Sequence, residues 1–179
     1  MPVIVKRGVV LLTAFALTLV ASSLLAGWWS KGPMSQRLGS EFESIPGVMH
    51  ADLETVAGKT TVTVTFSDVE DLPAVYLAVV NTASRSLKHG NYRIELKDAA
   101  SNGLDQVYQE LHYHVFEAAR TGNYGRMREA FKIEAPSLNV GRWKLTVTAD
   151  YIFVQLWNEG GYLHRVVPVG AGGTGGDAP

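Results

Sequence analysis

The histidines of the His112-Tyr113-His114 segment are the first residues of this chain that suggest chemistry. Imidazole is a common metal ligand, so a metal site is one interpretation of the pair. The surrounding apolar residues recur with a helical period, and side chains two residues apart on a helix point about 200° away from each other. His112 and His114 therefore cannot bind one ion together, and the sequence predicts neither a metal nor a cofactor.

Three carboxylates, those of Asp68, Glu70 and Asp71, form the next candidate group. Paired carboxylates hydrolyse glycosides when a cleft holds them at the required separation. At the start of a helix, where this group is predicted to lie, the same residues cap the helix and complement its dipole. We favour capping, because a cleft cannot be recognised from the sequence.

Other catalytic signatures are missing from the sequence. The chain has no cysteine, which excludes a thiol nucleophile, thiolate metal ligands and disulfides. The serines lie outside any nucleophile-elbow sequence, and the glycine-rich tail lacks the Lys-Ser/Thr pair of a phosphate-binding loop. The formal net charge of -1 gives no basic footprint for nucleic acid. We expect a protein that is not an enzyme and has no catalytic residues.

An aromatic strand face is the first candidate surface for a partner. Tyr151, Phe153 and Trp157 alternate with aliphatic residues along a predicted strand, so both faces of that strand are apolar. Two interpretations follow. Either the strand is central and buried on both sides, or its aromatic face is an exposed contact surface.

Two arginines, Arg126 and Arg128, are the second candidate surface. Together with Arg120 and Lys132 they form a basic patch around a helix break at Gly122. Such a patch fits anionic lipid headgroups or an acidic partner, and it is also typical of an ordinary solvated face.

The N-terminal residues are predicted to form a membrane anchor. Residues 8–27 carry no charge, and about 20 apolar residues suffice to span a bilayer. Basic residues precede this run and tryptophans follow it, as at the two ends of a transmembrane helix. The residues at the membrane interface are then Lys6, Arg7, Trp28 and Trp29. A cleaved signal peptide is the competing interpretation.

Residues 31–97 are predicted to form an α-β-β-α-β unit. Two segments have apolar residues at helical spacing, and three segments alternate apolar with polar residues as strands do. In the first strand Met49 is expected to point inward with Ala51 and Leu53. Two helices on one face of a three-stranded sheet would bury all these apolar side chains at once.

The same segment resembles a known class of small domain. A helix that ends in Ile45-Pro46-Gly47-Val48, followed by HADLETVAGKTTVTVTF, is similar to the ring-building and BON-type domains of bacterial envelope proteins. The resemblance covers about a third of the chain. The chain also resembles uncharacterised single-pass membrane proteins of spore-forming Gram-positive bacteria. The first resemblance implies a non-enzymatic module that self-associates, binds envelope partners or contacts lipid.

Residues 98–169 are predicted to form a helix, a second short helix and a three-stranded antiparallel meander, followed by a disordered tail at 170–179. Neither half is large enough to be comfortably stable alone, so we expect the two to pack together. The meander either extends the first sheet or forms a second layer. The predicted fold is therefore α+β: a transmembrane helix within 1–30, an αββαβ sandwich, and a helix with a meander.

The expected function is protein–protein interaction or self-assembly in the cell envelope. The anchor would hold the chain in the cell membrane by one span, with the bulk of the chain outside the cytoplasm. The alternative function is binding of a small ligand or of cell-wall material through the aromatic strand face.

Overall fold

The computed structural model describes residues 33–87, 90–98 and 103–170. Over these ranges the chain is an α+β protein with four α-helices and two three-stranded sheets. The predicted anchor within 1–30 and all but the first residue of the predicted tail lie outside the described residues. Within those residues no helix is both long enough and apolar enough to cross a membrane.

The first unit has the predicted α-β-β-α-β order. Its elements are α1 (Pro33–Glu43), β1 (Val48–Val56), β2 (Lys59–Phe66), α2 (Leu72–Ser86) and β3 (Tyr92–Asp98). Strand β2 is central, antiparallel to β1 and parallel to β3. Both helices cover one face of this sheet, where Phe42 of α1 and Tyr76 of α2 join Val62 and Val64 in one core. The threonines of β2 lie on the other, uncovered face.

The expected position of Met49 is wrong. The pairing of β1 with β2 shifts between Val48 and His50, so the strand contains a bulge there. A bulge inserts an extra residue and turns its side chain away from the alternating pattern. Met49 is consequently 58% exposed, whereas Ala51 keeps its predicted inward position.

The second unit consists of two helices and a meander. Its elements are α3 (Leu104–Thr121), α4 (Tyr124–Glu134), a 3-10 turn (Ala135–Leu138), β4 (Arg142–Val147), β5 (Tyr151–Asn158) and β6 (Gly161–Pro168). The three strands form their own antiparallel sheet with β5 in the centre. The meander is therefore a second layer and does not extend the first sheet.

Strand β5 lies between two hydrophobic cores. Ile152, Val154 and Leu156 point toward α3 and α4, where they meet Leu111 and Phe131. Phe153 points the other way and belongs to the core of the first unit. Burial on both faces explains why this strand has no polar side in the sequence.

Candidate partner-binding surface

The aromatic face of β5 is an internal face of the protein. Phe153 is fully buried and Trp157 is 8% exposed, while Tyr151 is half-buried against the first unit. The ring of Tyr76 lies 5.3 Å from that of Tyr151 and 5.7 Å from that of Phe153, both edge to face. The interpretation of these three residues as an exposed partner surface is therefore corrected: their partner is the first unit of the same chain.

Hydrogen bonds reinforce this contact between the two units, which we call the seam. The Trp157 indole N–H donates to Oδ1 of Asp68 at 2.6 Å, and Nε2 of Gln155 donates to the carbonyl oxygen of Val69 at 2.7 Å. The Tyr162 hydroxyl donates to the carbonyl oxygen of Phe66 at 2.9 Å. The acceptors are Phe66, the last residue of β2, and two residues of the segment that joins β2 to α2, so this stretch of chain fixes one unit on the other.

The acidic group at 68–71 divides into two roles. Asp71 caps α2, as predicted, by accepting a hydrogen bond from the backbone N–H of Ala74 at 3.1 Å. Glu70 instead pairs with Arg142 of β4 at 2.8 Å. Sequence reasoning missed the part that this group plays in the seam, because the partners are more than 70 residues away along the chain.

The phenols at the cores titrate at unusually high pH. Burial raises the pKa of Tyr76 far above its ordinary range, and the neighbouring Tyr151 raises it further. Burial also raises the pKa of Tyr151 and raises that of Tyr108 to about 12. These hydroxyls therefore stay neutral at physiological pH.

The two histidines of α3 point toward different partners. Nδ1 of His112 donates to the carbonyl oxygen of Gln109 at 2.5 Å, within the same helix. Nε2 of His114 lies 3.0 Å from Oε1 of Glu134 on α4. This separation follows from the helical spacing that the sequence indicated.

The outer side of α3 carries an exposed aromatic cluster. Tyr113 is 70% exposed and Phe116 is 50% exposed, and in the described part of the chain no other aromatic side chain is this accessible. The ring of His112 lies 3.9 Å from that of Tyr113 and 5.9 Å from that of Phe116, which braces both rings. We call His112, Tyr113 and Phe116 the α3 surface.

The helical period of the sequence contains a signal for the α3 surface. The buried residues of α3 include Leu104, Leu111 and Val115, and they define one side of the helix. Tyr113 and Phe116 fall away from that side by the helical period alone. An aromatic residue outside the buried stripe was thus a better signal for a surface than the apolar strand.

The predicted basic residues remain on the surface. Arg126 forms an ion pair with Glu117 at 2.9 Å, in which the arginine side chain is 68% exposed. Arg128 is exposed on α4, one helical turn from Lys132. Ion pairs that are this accessible contribute little to stability, so the arginines are available for a second role.

A shallow groove lies between α1 and α2. It has a volume of about 700 Å³, within the range of ligand sites. Glu41 and Ser44 line one wall, and Asn81 and Arg85 line the other. The groove is widely open to solvent and its arginine folds back onto the carbonyl oxygen of Asn81, so we give it less weight than the α3 surface.

Comparison of the chain with protein-family models, with curated proteins and with solved structures finds no match in any of the three. The resemblance to ring-building and BON-type domains therefore stays a prediction.

Proposed function

We propose that this protein is a non-enzymatic, membrane-tethered module of the cell envelope that binds a protein partner through the α3 surface. The partner is either a second copy of the chain or another envelope protein. The apolar run at 8–27 supplies the tether, which places the described domain outside the cytoplasm.

The exposed rings of Tyr113 and Phe116 are the observation that carries this proposal. Large aromatic side chains dominate the energetics of protein interfaces, because they bury much area while losing little conformational freedom. Here the His112 ring contacts the Tyr113 ring at a tilted angle and is hydrogen-bonded to the helix backbone, so the cluster is held in place before a partner arrives. A preordered surface loses less entropy on binding than a flexible one.

The fold supports the same function by being a rigid frame for α3. The opposite side of this helix is fixed by Leu104, Leu111 and Val115, all fully buried in the second core. The ion pair of Arg165 with Asp105 and the pair of His114 with Glu134 attach α3 to β6 and α4. A binding surface on a rigid element is positioned more precisely than one on a loop.

The test is site-specific photocrosslinking of the full chain in its own membranes. A photoreactive amino acid is placed at position 113 or 116, and at Lys97 as an exposed control on the uncovered face of the first sheet. We expect one discrete adduct from positions 113 and 116 that is absent at position 97. An adduct twice the mass of the chain identifies a second copy, and any other mass identifies a different partner. Equal labelling at all three positions, or none, rejects the α3 surface as the binding site.

A further inference from the structure

The start of α1 and the turn between β1 and β2 lie at the same end of the domain. Near the end of α1, the Glu43 carboxylate accepts a hydrogen bond from the backbone N–H of Ala51 at 3.3 Å. One turn earlier, a Cβ at Gly39 would lie 3.9 Å from the side chain of Leu53. Helix α1 is thus antiparallel to β1, and its first residue points toward the end of that strand at Val56. We call this the tether end.

The junction of α3 with α4 lies at the same end. The tether end includes the start of β3, because Thr60 at the start of β2 pairs with Tyr92. Tyr162, at the start of β6, bonds to Phe66 at the other end of β2, so β6 runs back toward the tether end, where its last residue, Pro168, pairs with Tyr151 at the start of β5. The chain that follows β6 returns beside it, since the Val169 N–H donates to the carbonyl oxygen of Asp150 at 2.8 Å.

The last described residue then joins this end to α3. The N–H of Gly170 donates to the carbonyl oxygen of Ala119 at 3.1 Å, close to the break between α3 and α4. The opposite end holds the seam at Asp68 and the turn that joins β5 to β6. The basic patch around Gly122 is therefore on the side from which α1 begins.

The length of chain before α1 keeps the tether end close to the predicted anchor. Five residues, 28–32, separate the apolar run from Pro33. Fully extended, they reach at most about 18 Å. If the run spans a bilayer, Pro33 at the start of α1 therefore stays close to the lipid headgroups, and the tether end is the part of the domain nearest to them.

The chemistry of the tether end fits an anionic lipid surface. Val56 is 63% exposed at the tip of β1, and the exposed Lys59 is its cross-strand neighbour. Arg37 of α1 and Arg120 at the end of α3 are also exposed. Basic side chains near a membrane attract anionic headgroups, and a single exposed apolar side chain beside them can enter the headgroup layer.

We infer that the tether end is a second membrane contact, in which basic residues from both units bind anionic headgroups. This inference rests on the proposed membrane tether. This second contact also determines how the α3 surface is oriented relative to the membrane. Helix α3 runs toward the tether end, so its axis stands away from the membrane and Tyr113 points sideways. The partner would then be a protein of the same membrane.

The chain contains no native cysteine, so a single introduced cysteine can be labelled specifically. The full chain carries Val56→Cys at the tether end or Glu159→Cys in the exposed turn at the opposite end. Each variant is labelled with a fluorophore and reconstituted into phosphatidylcholine vesicles with or without phosphatidylglycerol. Headgroup spin-labelled lipid then quenches any fluorophore that touches the surface.

The expected result is quenching at position 56, stronger with phosphatidylglycerol, and none at position 159. The double variant Lys59→Glu, Arg120→Glu should weaken quenching at position 56, and so should high salt. A chain that does not float with the vesicles overturns the tether and this inference with it. A chain that floats but is quenched equally at both positions overturns this inference alone. Quenching at position 56 that is the same with and without phosphatidylglycerol, and the same in the double variant, overturns the role of the basic residues.

Discussion

Replacing Phe153 by alanine should destabilise the whole described domain, because this side chain of the second unit fills the core of the first. The ring is fully buried and packs edge to face on Tyr76. Removing a buried phenylalanine ring costs about 3–5 kcal/mol through lost burial and the remaining cavity. The loss would be a large part of a total stability that is about 5–15 kcal/mol in most domains.

The measurement is urea unfolding of the full chain in mild detergent, followed by circular dichroism. With a slope of about 1–3 kcal/mol per molar urea, the midpoint should fall by at least about 1 M. Phe116→Ala is the matched control, since it makes the same change at a half-exposed ring and should alter stability by less than about 0.5 kcal/mol. Equal, small effects of the two substitutions would refute the position of β5 between the cores.

Three further results are expected. Gly47→Ala should lower the melting temperature more than Gly58→Ala. Both glycines have a positive φ, which costs a residue with a Cβ about 1–2 kcal/mol, but of the two only Gly47 would place its Cβ 2.7 Å from a Val69 methyl group. Equal losses of melting temperature would contradict this close packing. Hydrogen bonds to Glu43 and Asp52 raise the pKa of His50, so its NMR titration midpoint should exceed 6.5 and should fall in the Glu43→Gln variant. The stability that protonated His50 contributes is complete below pH 6.5 and is lost as the pH rises through its raised pKa. Asp68→Ala should cost about 1–3 kcal/mol in urea unfolding, because it leaves the buried Trp157 indole N–H without its acceptor; an unchanged midpoint would show that the seam does not need this bond.

Local patterns in the sequence predicted most elements of the described fold. Alternation along β2 placed Val62 and Val64 inside, and the helical period of α3 placed Leu111 and Val115 there. These signals are local, because each depends only on which face of one element is apolar. The acidic group at 68–71 predicted the start of α2 only approximately, since Asp71 is the N-cap and the helix begins at Leu72.

The contacts between the units could not be predicted, because they join residues far apart in sequence. The sequence around Phe153 is equally consistent with a surface position and a core position. Only its contact with Tyr76 of the first unit shows that it is a core residue. Similarly, Asp68 is a residue type that often caps helices, but its carboxylate accepts a hydrogen bond from the Trp157 indole N–H. The bulge at Met49 has no sequence signal of its own, since it arises from the pairing of two strands.

The most direct test of the account is partner retention by the double variant Tyr113→Ser, Phe116→Ser. The full chain and the variant are solubilised from their native membranes, and the mass of each complex is measured by size exclusion with light scattering. We predict that the partner, defined by the crosslinked adduct, is lost from the variant while its melting temperature stays unchanged, because both rings lie outside the cores. A variant that keeps the same complex would contradict the assignment of the α3 surface.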